Sequence, residues 1–131
     1  MKKVLLFLPA VLYYSLIFYF SSRSIELKAN IPFIDKAFHL IEFAILGFLL
    51  SFGTFLSIKS GFNVKAYLTF LCGALLGALD ELHQYFVPGR STEILDWTAD
   101  ASGVLLGLFI FISLFRRARG KILRSLSHLQ S

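Results

Sequence analysis

The chain has 131 residues, of which 56% are hydrophobic and 16% aromatic, while only 16% are charged. Soluble domains carry about 25% charged residues, so this sequence lacks the polar surface that a soluble core needs. The formal net charge of +5 does not indicate nucleic-acid binding, because the basic residues flank apolar segments instead of interleaving with aromatic residues. We therefore predict a polytopic membrane protein that does not bind nucleic acid.

Four stretches are long and apolar enough to cross a bilayer, which requires about 20 mostly apolar residues. They cover about residues 4–21, 37–57, 66–82 and 97–115. The first stretch is longer than a signal-peptide core and no small-residue cleavage site follows it, so we expect a retained helix. The prediction is an all-α, four-transmembrane-helix bundle that forms one domain over residues 1–131 and ends in a basic tail, residues 116–131.

The positions of lysine and arginine predict the orientation of this bundle. Nine basic residues fall at one end: Lys2, Lys3, Lys59, Lys65, Arg116, Arg117, Arg119, Lys121 and Arg124. Four fall at the other: Arg23, Lys28, Lys36 and Arg90. Since basic residues concentrate in cytoplasmic segments, both termini are predicted to be cytoplasmic. All eight acidic residues then lie in or near the outer membrane surface, within residues 26–42 and 80–100.

The polar residues of the outer half recur at helical spacing. Asp35, His39 and Glu42 are spaced i, i+4 and i+7, so one face of the second helix carries all three. Two further helix ends carry Asp80, Glu81 and Gln84, and then Asp96 and Asp100, with Arg90 between them after a Pro88-Gly89 turn signal. Because charged groups inside a membrane usually face a cavity or the protein interior, the three stripes predict one outward-facing site.

The chemistry of these residue types suggests their roles. His39, Asp35 and Glu81 are the candidate catalytic residues, because an imidazole paired with a carboxylate can transfer protons. The candidate ligand-binding residues are Glu42, Asp80, Gln84, Arg90, Asp96 and Asp100. Arg90 is expected to hold a phosphate or carboxylate in its guanidinium fork, and to pair with Asp96, Glu81 or Asp100 without ligand. No residue is assigned to a metal, since the spacing matches no zinc signature.

Two pairs of glycines predict close helix packing. Gly73 and Gly77 are four residues apart in the third helix, and Gly103 and Gly107 repeat that spacing in the fourth. Small residues at this spacing allow the backbones of membrane helices to approach each other.

Three strings carry a family resemblance. They are Asp35-Lys36-x-x-His39, Asp80-Glu81-x-x-Gln84-x-Phe86-Val87-Pro88-Gly89-Arg90, and Asp96-x3-Asp100-x2-Gly103-x3-Gly107. Over about residues 13–112 the chain resembles the VanZ-like family, which is named for a membrane protein associated with low-level teicoplanin resistance in Gram-positive bacteria. The resemblance implies that the characteristic polar positions are Asp35, His39, Glu81, Gln84, Arg90 and Asp96. Much of that family has asparagine at position 100, where this chain has aspartate.

These observations support several functions. The first is a protein of the cell membrane, surrounded by lipid, that binds or modifies an amphipathic cell-envelope molecule on the extracytoplasmic side. That molecule is a lipoglycopeptide, a lipid-linked wall precursor or an anionic lipid headgroup, and the resemblance associates the protein with glycopeptide resistance. The alternatives are an intramembrane acid–base or metal-dependent enzyme, a structural polar cluster neutralised by Arg90, and a transporter.

Overall fold

The computed structural model describes residues 2–23 and 33–129, with side chains described up to residue 125. The described residues form four long helices and no strand, which confirms the predicted all-α class. Residues 24–32, between the first and second helices, lie outside the described residues, and they include two charged residues counted above, Glu26 and Lys28.

Three of the four helices extend beyond the predicted spans, whereas the first ends at Ser21, where its predicted span also ends. A short 3-10 turn leads into the first helix, and the elements are Lys3–Phe7, α1 (Leu8–Ser21), α2 (Ile34–Ser57), α3 (Phe62–Tyr85) and α4 (Ile94–Leu129). All four helices are long and apolar enough to cross a membrane. The predicted spans counted apolar residues, whereas the helical backbone continues through polar residues at the start of α2, at both ends of α3 and at both ends of α4. The largest difference is in α4, which runs through the predicted basic tail because lysine, arginine and leucine are good helix formers.

The contact between α2 and α4 is the most extensive in the bundle, and glycines make it possible. A Cβ atom on Gly103 or Gly107 would collide with backbone atoms of α2, at Leu40 and Ala44 respectively. From the other side, a Cβ atom on Gly47 would come within 2.7 Å of the Cα atom of Val104. The predicted glycine pair of the fourth helix is therefore confirmed as a packing seam.

The glycine pair of α3 packs against the same face of α4. A Cβ atom on Gly73 would lie 2.6 Å from the methyl groups of Val104, and one on Gly77 would lie 3.0 Å from Cβ of Asp100. This second predicted seam is also confirmed. It presses the backbone of α3 against Asp100 and so helps to bury that carboxylate.

The remaining interior is apolar and small. Phe43, Leu46 and Val104 have no exposed surface, and the same cluster also contains Leu50 of α2 and Ala10 and Ile17 of α1. Many leucine, isoleucine and phenylalanine side chains on the outside of the bundle are exposed, which suits a surface that faces lipid acyl chains.

The two ends of the bundle differ in charge. The end of α1, the start of α2, the end of α3 and the start of α4 meet in what we call the acidic end, residues 21–23, 33–42 and 80–100. It holds seven of the eight acidic residues, and the eighth, Glu26, lies outside the described residues. The opposite end holds the basic residues of the α2–α3 connection and of the end of α4.

Candidate functional site

His39 is buried at the centre of the acidic end, on the first turns of α2. Its Nδ1 atom lies 2.9 Å from Oδ1 of Asp100, which has no exposed surface, and 4.0 Å from Oε1 of Glu81. Sequence analysis paired His39 with Asp35 or Glu81, whereas the structure gives it Asp100 as its hydrogen-bond partner. Asp35 instead bonds to Lys36 and is half-exposed.

A cavity of about 350 Å³ lies beside His39 between α1, α2 and α3. Its apolar lining comes from Ile17, Phe20 and Phe38. Its polar lining comes from Ser21, Asp35, His39, Glu42, Asp80, Gln84 and Arg90. The side chains of Phe20 and Phe38 are partly exposed on the outside of the bundle, so the cavity has an apolar edge toward the surrounding lipid.

Arg90 reaches this cavity from the connection between α3 and α4. Val87, Pro88, Gly89 and Arg90 form a turn in which the Arg90 amide donates to the Val87 carbonyl at 3.2 Å. Gly89 has a φ of 81°, a left-handed conformation that glycine adopts without strain, and proline is favoured at the position before it. The Pro88-Gly89 signal therefore marks a real turn, and this turn positions the guanidinium.

The expected pairing of Arg90 was wrong. Within the described residues Arg90 forms no ion pair, and its buried Nε atom has no hydrogen-bond partner. Asp96 and Asp100 are occupied elsewhere, by Lys36 and His39 respectively. Arg90 therefore lines the cavity without an ion pair among the described residues.

Lys36 is the cation that sequence reasoning left out of the site. Its Nζ atom lies 3.0 Å from Asp35, 2.9 Å from Glu93 and 3.1 Å from Asp96, and only 17% of its side chain is exposed. The spacing could have indicated that Lys36 belongs to the site, because Lys36 precedes His39 by three residues and so shares its helical face. Lys36 joins the start of α2 to the start of α4.

Asp80 and Gln84 form the third wall of the cavity on the last turns of α3. Gln84 Nε2 donates to Oδ2 of Asp80 at 2.8 Å, and both residues are buried. The other Asp80 oxygen, Oδ1, is buried without a hydrogen-bond partner, as is the hydroxyl of Ser21 across the cavity. These atoms are acceptors or donors that a bound polar group would satisfy.

The nine residues selected from the sequence divide into two groups in space. Six line the cavity: Asp35, His39, Glu42, Asp80, Gln84 and Arg90. Glu81, Asp96 and Asp100 do not line it and lie near the His39 ring. Sequence reasoning missed Lys36, Ser21 and the apolar lining, and no spacing in the chain distinguishes those apolar residues from others that face lipid.

Among the described residues, His39, Glu81 and Asp96 are close enough together that they could hold a metal ion. One nitrogen or oxygen atom from each lies within 4.8 Å of the other two. The convergence arises from three helices, since α2, α3 and α4 contribute one residue each.

The comparisons with known proteins agree with this architecture. A family model described as VanZ/LLP1 matches residues 1–116, which covers all four membrane-crossing helices except the end of α4. No curated protein and no solved structure matches the chain. The match spans most of the sequence, and the membrane-crossing helices agree with the resemblance read from the polar strings. The chain belongs to the VanZ/LLP1 family of membrane proteins.

Proposed function

We propose that this protein binds the anionic headgroup of an envelope lipid or lipid-linked wall precursor in the cavity at its acidic end. The observation that carries the proposal is Arg90, a cation in a cavity of a membrane protein that has no ion pair within the described residues. A guanidinium binds phosphate through two parallel hydrogen bonds, and it remains charged at every physiological pH. A phosphate group on the ligand is the partner that Arg90 lacks.

The lining of the cavity suits an amphipathic ligand. Phe20 and Phe38 form an apolar edge that would contact an acyl or isoprenoid chain. Asp80, Gln84 and Glu42 provide acceptors and an amide for sugar hydroxyls or amines next to the phosphate. Ligand pockets commonly combine apolar walls with a few such polar groups.

The volume of the cavity limits the size of the bound group. Pockets that enclose drug-sized molecules occupy about 300–1,000 Å³, and this cavity, at about 350 Å³, is at the lower end. It has room for a headgroup but not for an intact lipoglycopeptide. A role in glycopeptide resistance would then be indirect, through the amount or accessibility of the wall precursor that the antibiotic recognises.

Binding of purified protein to defined lipids tests this proposal. Native mass spectrometry would compare phosphatidylglycerol and undecaprenyl phosphate with diacylglycerol, which has no phosphate. Wild-type protein should retain the two anionic lipids in preference to diacylglycerol, and Arg90→Gln should weaken that retention by about tenfold or more, the equivalent of one charge-assisted hydrogen bond. Arg116→Gln is the matched control, because Arg116 lies over the Phe62 ring at the opposite end. Equal retention by Arg90→Gln would contradict the proposal.

The proposal places the acidic end outside the cytoplasm, as the distribution of basic residues predicts. Glu93 is half-exposed at this end, so a cysteine there would be accessible from one side of the membrane. In a Cys72→Ala background, Glu93→Cys should react with a membrane-impermeant maleimide in intact cells. A Lys59→Cys protein should react only after the cells are opened, and the reverse pattern would place the site on the cytoplasmic side.

The His39–Asp100 pair favours a second candidate, an enzyme that acts on the same class of ligand. A carboxylate that accepts a hydrogen bond from a histidine orients the ring for general acid–base work. His39 also lines the cavity, so a bound headgroup would lie next to it. Mass analysis of lipid extracts incubated with the pure protein would show a product if this is correct. If lipids co-purify with the protein but are chemically unaltered, the protein binds them and is not an enzyme that acts on them.

A further inference from the structure

A second group of polar residues lies next to the cavity and is not needed to bind a headgroup. It consists of His39, Glu81 and Asp96, whose donor atoms lie within 4.8 Å of one another. Two ligand atoms that each stand about 2.1 Å from one Zn²⁺ ion are separated by about 3–4.2 Å. Adjustments of less than about 1 Å in the side chains would therefore place all three donors on a single ion.

The hydrogen bonding of Glu81 points independently to a missing partner. Both oxygens of Glu81 are buried and neither accepts a hydrogen bond from any described residue, although only 11% of the side chain is exposed. Asp96 differs, because its Oδ1 atom lies 3.1 Å from Lys36 Nζ and only 7% of its side chain is exposed. Buried polar groups are normally partnered, so the two Glu81 oxygens require either a proton or a cation.

The charges near His39 lead to the same conclusion. Four carboxylates of the acidic end are buried or nearly so: Asp80, Glu81, Asp96 and Asp100. Lys36 and Arg90 are the partly buried permanent cations of this region within the described residues, whereas Arg23 is exposed and lies over the Tyr19 ring. Lys36 is also paired with the half-exposed Asp35 and Glu93. Two permanent cations against four buried carboxylates leave an excess of two negative charges when His39 is neutral. A divalent cation would balance that excess.

We propose that His39, Glu81 and Asp96 bind one divalent transition-metal ion, of which Zn²⁺ and Mn²⁺ are the best matches. An imidazole nitrogen among the donors favours these ions over Mg²⁺ and Ca²⁺, which prefer oxygen ligands. The His39 atom nearest Glu81 is Nδ1, which also lies 2.9 Å from Asp100, so an ion bound by Nδ1 would replace that hydrogen bond. Three protein ligands leave at least one coordination position open for a further oxygen ligand.

The ion can be measured directly on the purified protein. Chelator-washed wild-type protein in detergent is titrated with Zn²⁺ and with Mn²⁺ by calorimetry, and we expect one ion per chain. Trp97 gives an independent signal, because it is the one tryptophan of the chain and follows Asp96 directly. Paramagnetic Co²⁺ bound at the site should quench its fluorescence, and excess Zn²⁺ should restore it.

Matched carboxylate variants identify the ligands. Glu81→Gln keeps the size of the side chain but removes its charge, and it should weaken binding by at least about 100-fold, more than the loss of an outer partner does. Glu93→Gln is the control, because Glu93 is ion-paired with Lys36 but lies outside the group of three. This control should bind the ion as the wild type does. Binding by Glu81→Gln at wild-type strength would overturn the proposal, and so would a wild-type protein that binds no ion.

The test does not depend on whether the Glu81→Gln variant folds. If Glu81→Gln is recovered only in aggregated form, Asp96→Asn provides the same comparison. Wild-type protein alone provides another, since an ion that binds the folded state raises its thermal midpoint. A midpoint that is unchanged by Zn²⁺, Mn²⁺ and EDTA would overturn the proposal. Ion binding is measured without lipid and headgroup binding with EDTA present, so the two proposals can fail separately.

Discussion

Lys36 and Arg90 are two cations at the acidic end of the bundle, and they differ in whether carboxylates pair with them. Lys36 contacts three carboxylates from two helices, with distances of 2.9–3.1 Å. Arg90 contacts none among the described residues, although the cavity that it lines also contains carboxylates. The difference indicates that Lys36 stabilises the fold and that Arg90 is available to a ligand. The predictions below test this division, from the largest expected change in stability to the smallest.

The largest loss of stability should follow from Lys36→Met. The change leaves Asp96 buried without a cation, and removing one partner of a buried ion pair destabilises a protein by about 3–5 kcal/mol. Because Lys36 is 17% exposed, we expect about 3 kcal/mol, the lower end of that range. The thermal midpoint in detergent measures it, with Lys36→Arg as the control that keeps the charge. An unchanged midpoint for Lys36→Met would mean that the three ion pairs do not stabilise the fold.

Removing both partners of the ion pair should recover part of the stability that Lys36→Met loses. In the double variant Lys36→Met with Asp96→Asn, no buried charge remains unpaired at this position. Asp35 and Glu93 are half-exposed, so water can solvate them. The coupling between the two changes should be about 1–3 kcal/mol, as found for residues in direct contact. Strictly additive losses of stability would show that Lys36 and Asp96 do not act as a pair.

A smaller change in stability, with a large change in function, is expected for His39→Gln. The glutamine amide can still donate to Asp100, so the protein should lose no more than about 1 kcal/mol. It cannot titrate or take the role of an imidazole, and the proposed function predicts that the wild type protects cells against a lipoglycopeptide and that this variant does not. Growth of cells that contain equal amounts of each protein measures this effect.

The matched control for that experiment is His83→Gln. His83 lies outside the cavity, where its Nε2 atom contacts the Ser22 hydroxyl at 2.8 Å and its ring stacks on Phe18. His83→Gln should protect cells as the wild type does. Equal protection by His39→Gln would remove His39 from any mechanism and leave the acidic end as a structural cluster.

The smallest change in stability is expected for Arg90→Met. Arg90 makes no ion pair within the described residues, and replacing it removes a partly buried charge without leaving a partner behind. The thermal midpoint should change by the equivalent of about 0.5 kcal/mol or less. A loss of stability as large as that of Lys36→Met would show that Arg90 has a structural partner, and the comparison between the two cations would no longer hold.

The sequence by itself determined the class of the protein, its four membrane-crossing helices and the residues that share each helical face. These features depend on local properties, namely apolar length and the helical repeat. Asp35, His39 and Glu42 occur on one stripe because of their spacing alone, and six of the nine selected residues line the cavity. Gly103 and Gly107 also indicated close packing without any knowledge of the partner helix.

Only the tertiary structure decided which charges meet. Asp100 lies 61 residues from His39 in the chain, and spacing could not select it over Asp35 or Glu81. The selection depends on how far α4 approaches and rotates against α2, which the contacts of Gly103 and Gly107 determine. The same packing brings Asp96 to Lys36 and leaves Arg90 without an ion pair among the described residues. Contacts between helices depend on these relative positions, and no local pattern in the chain encodes them.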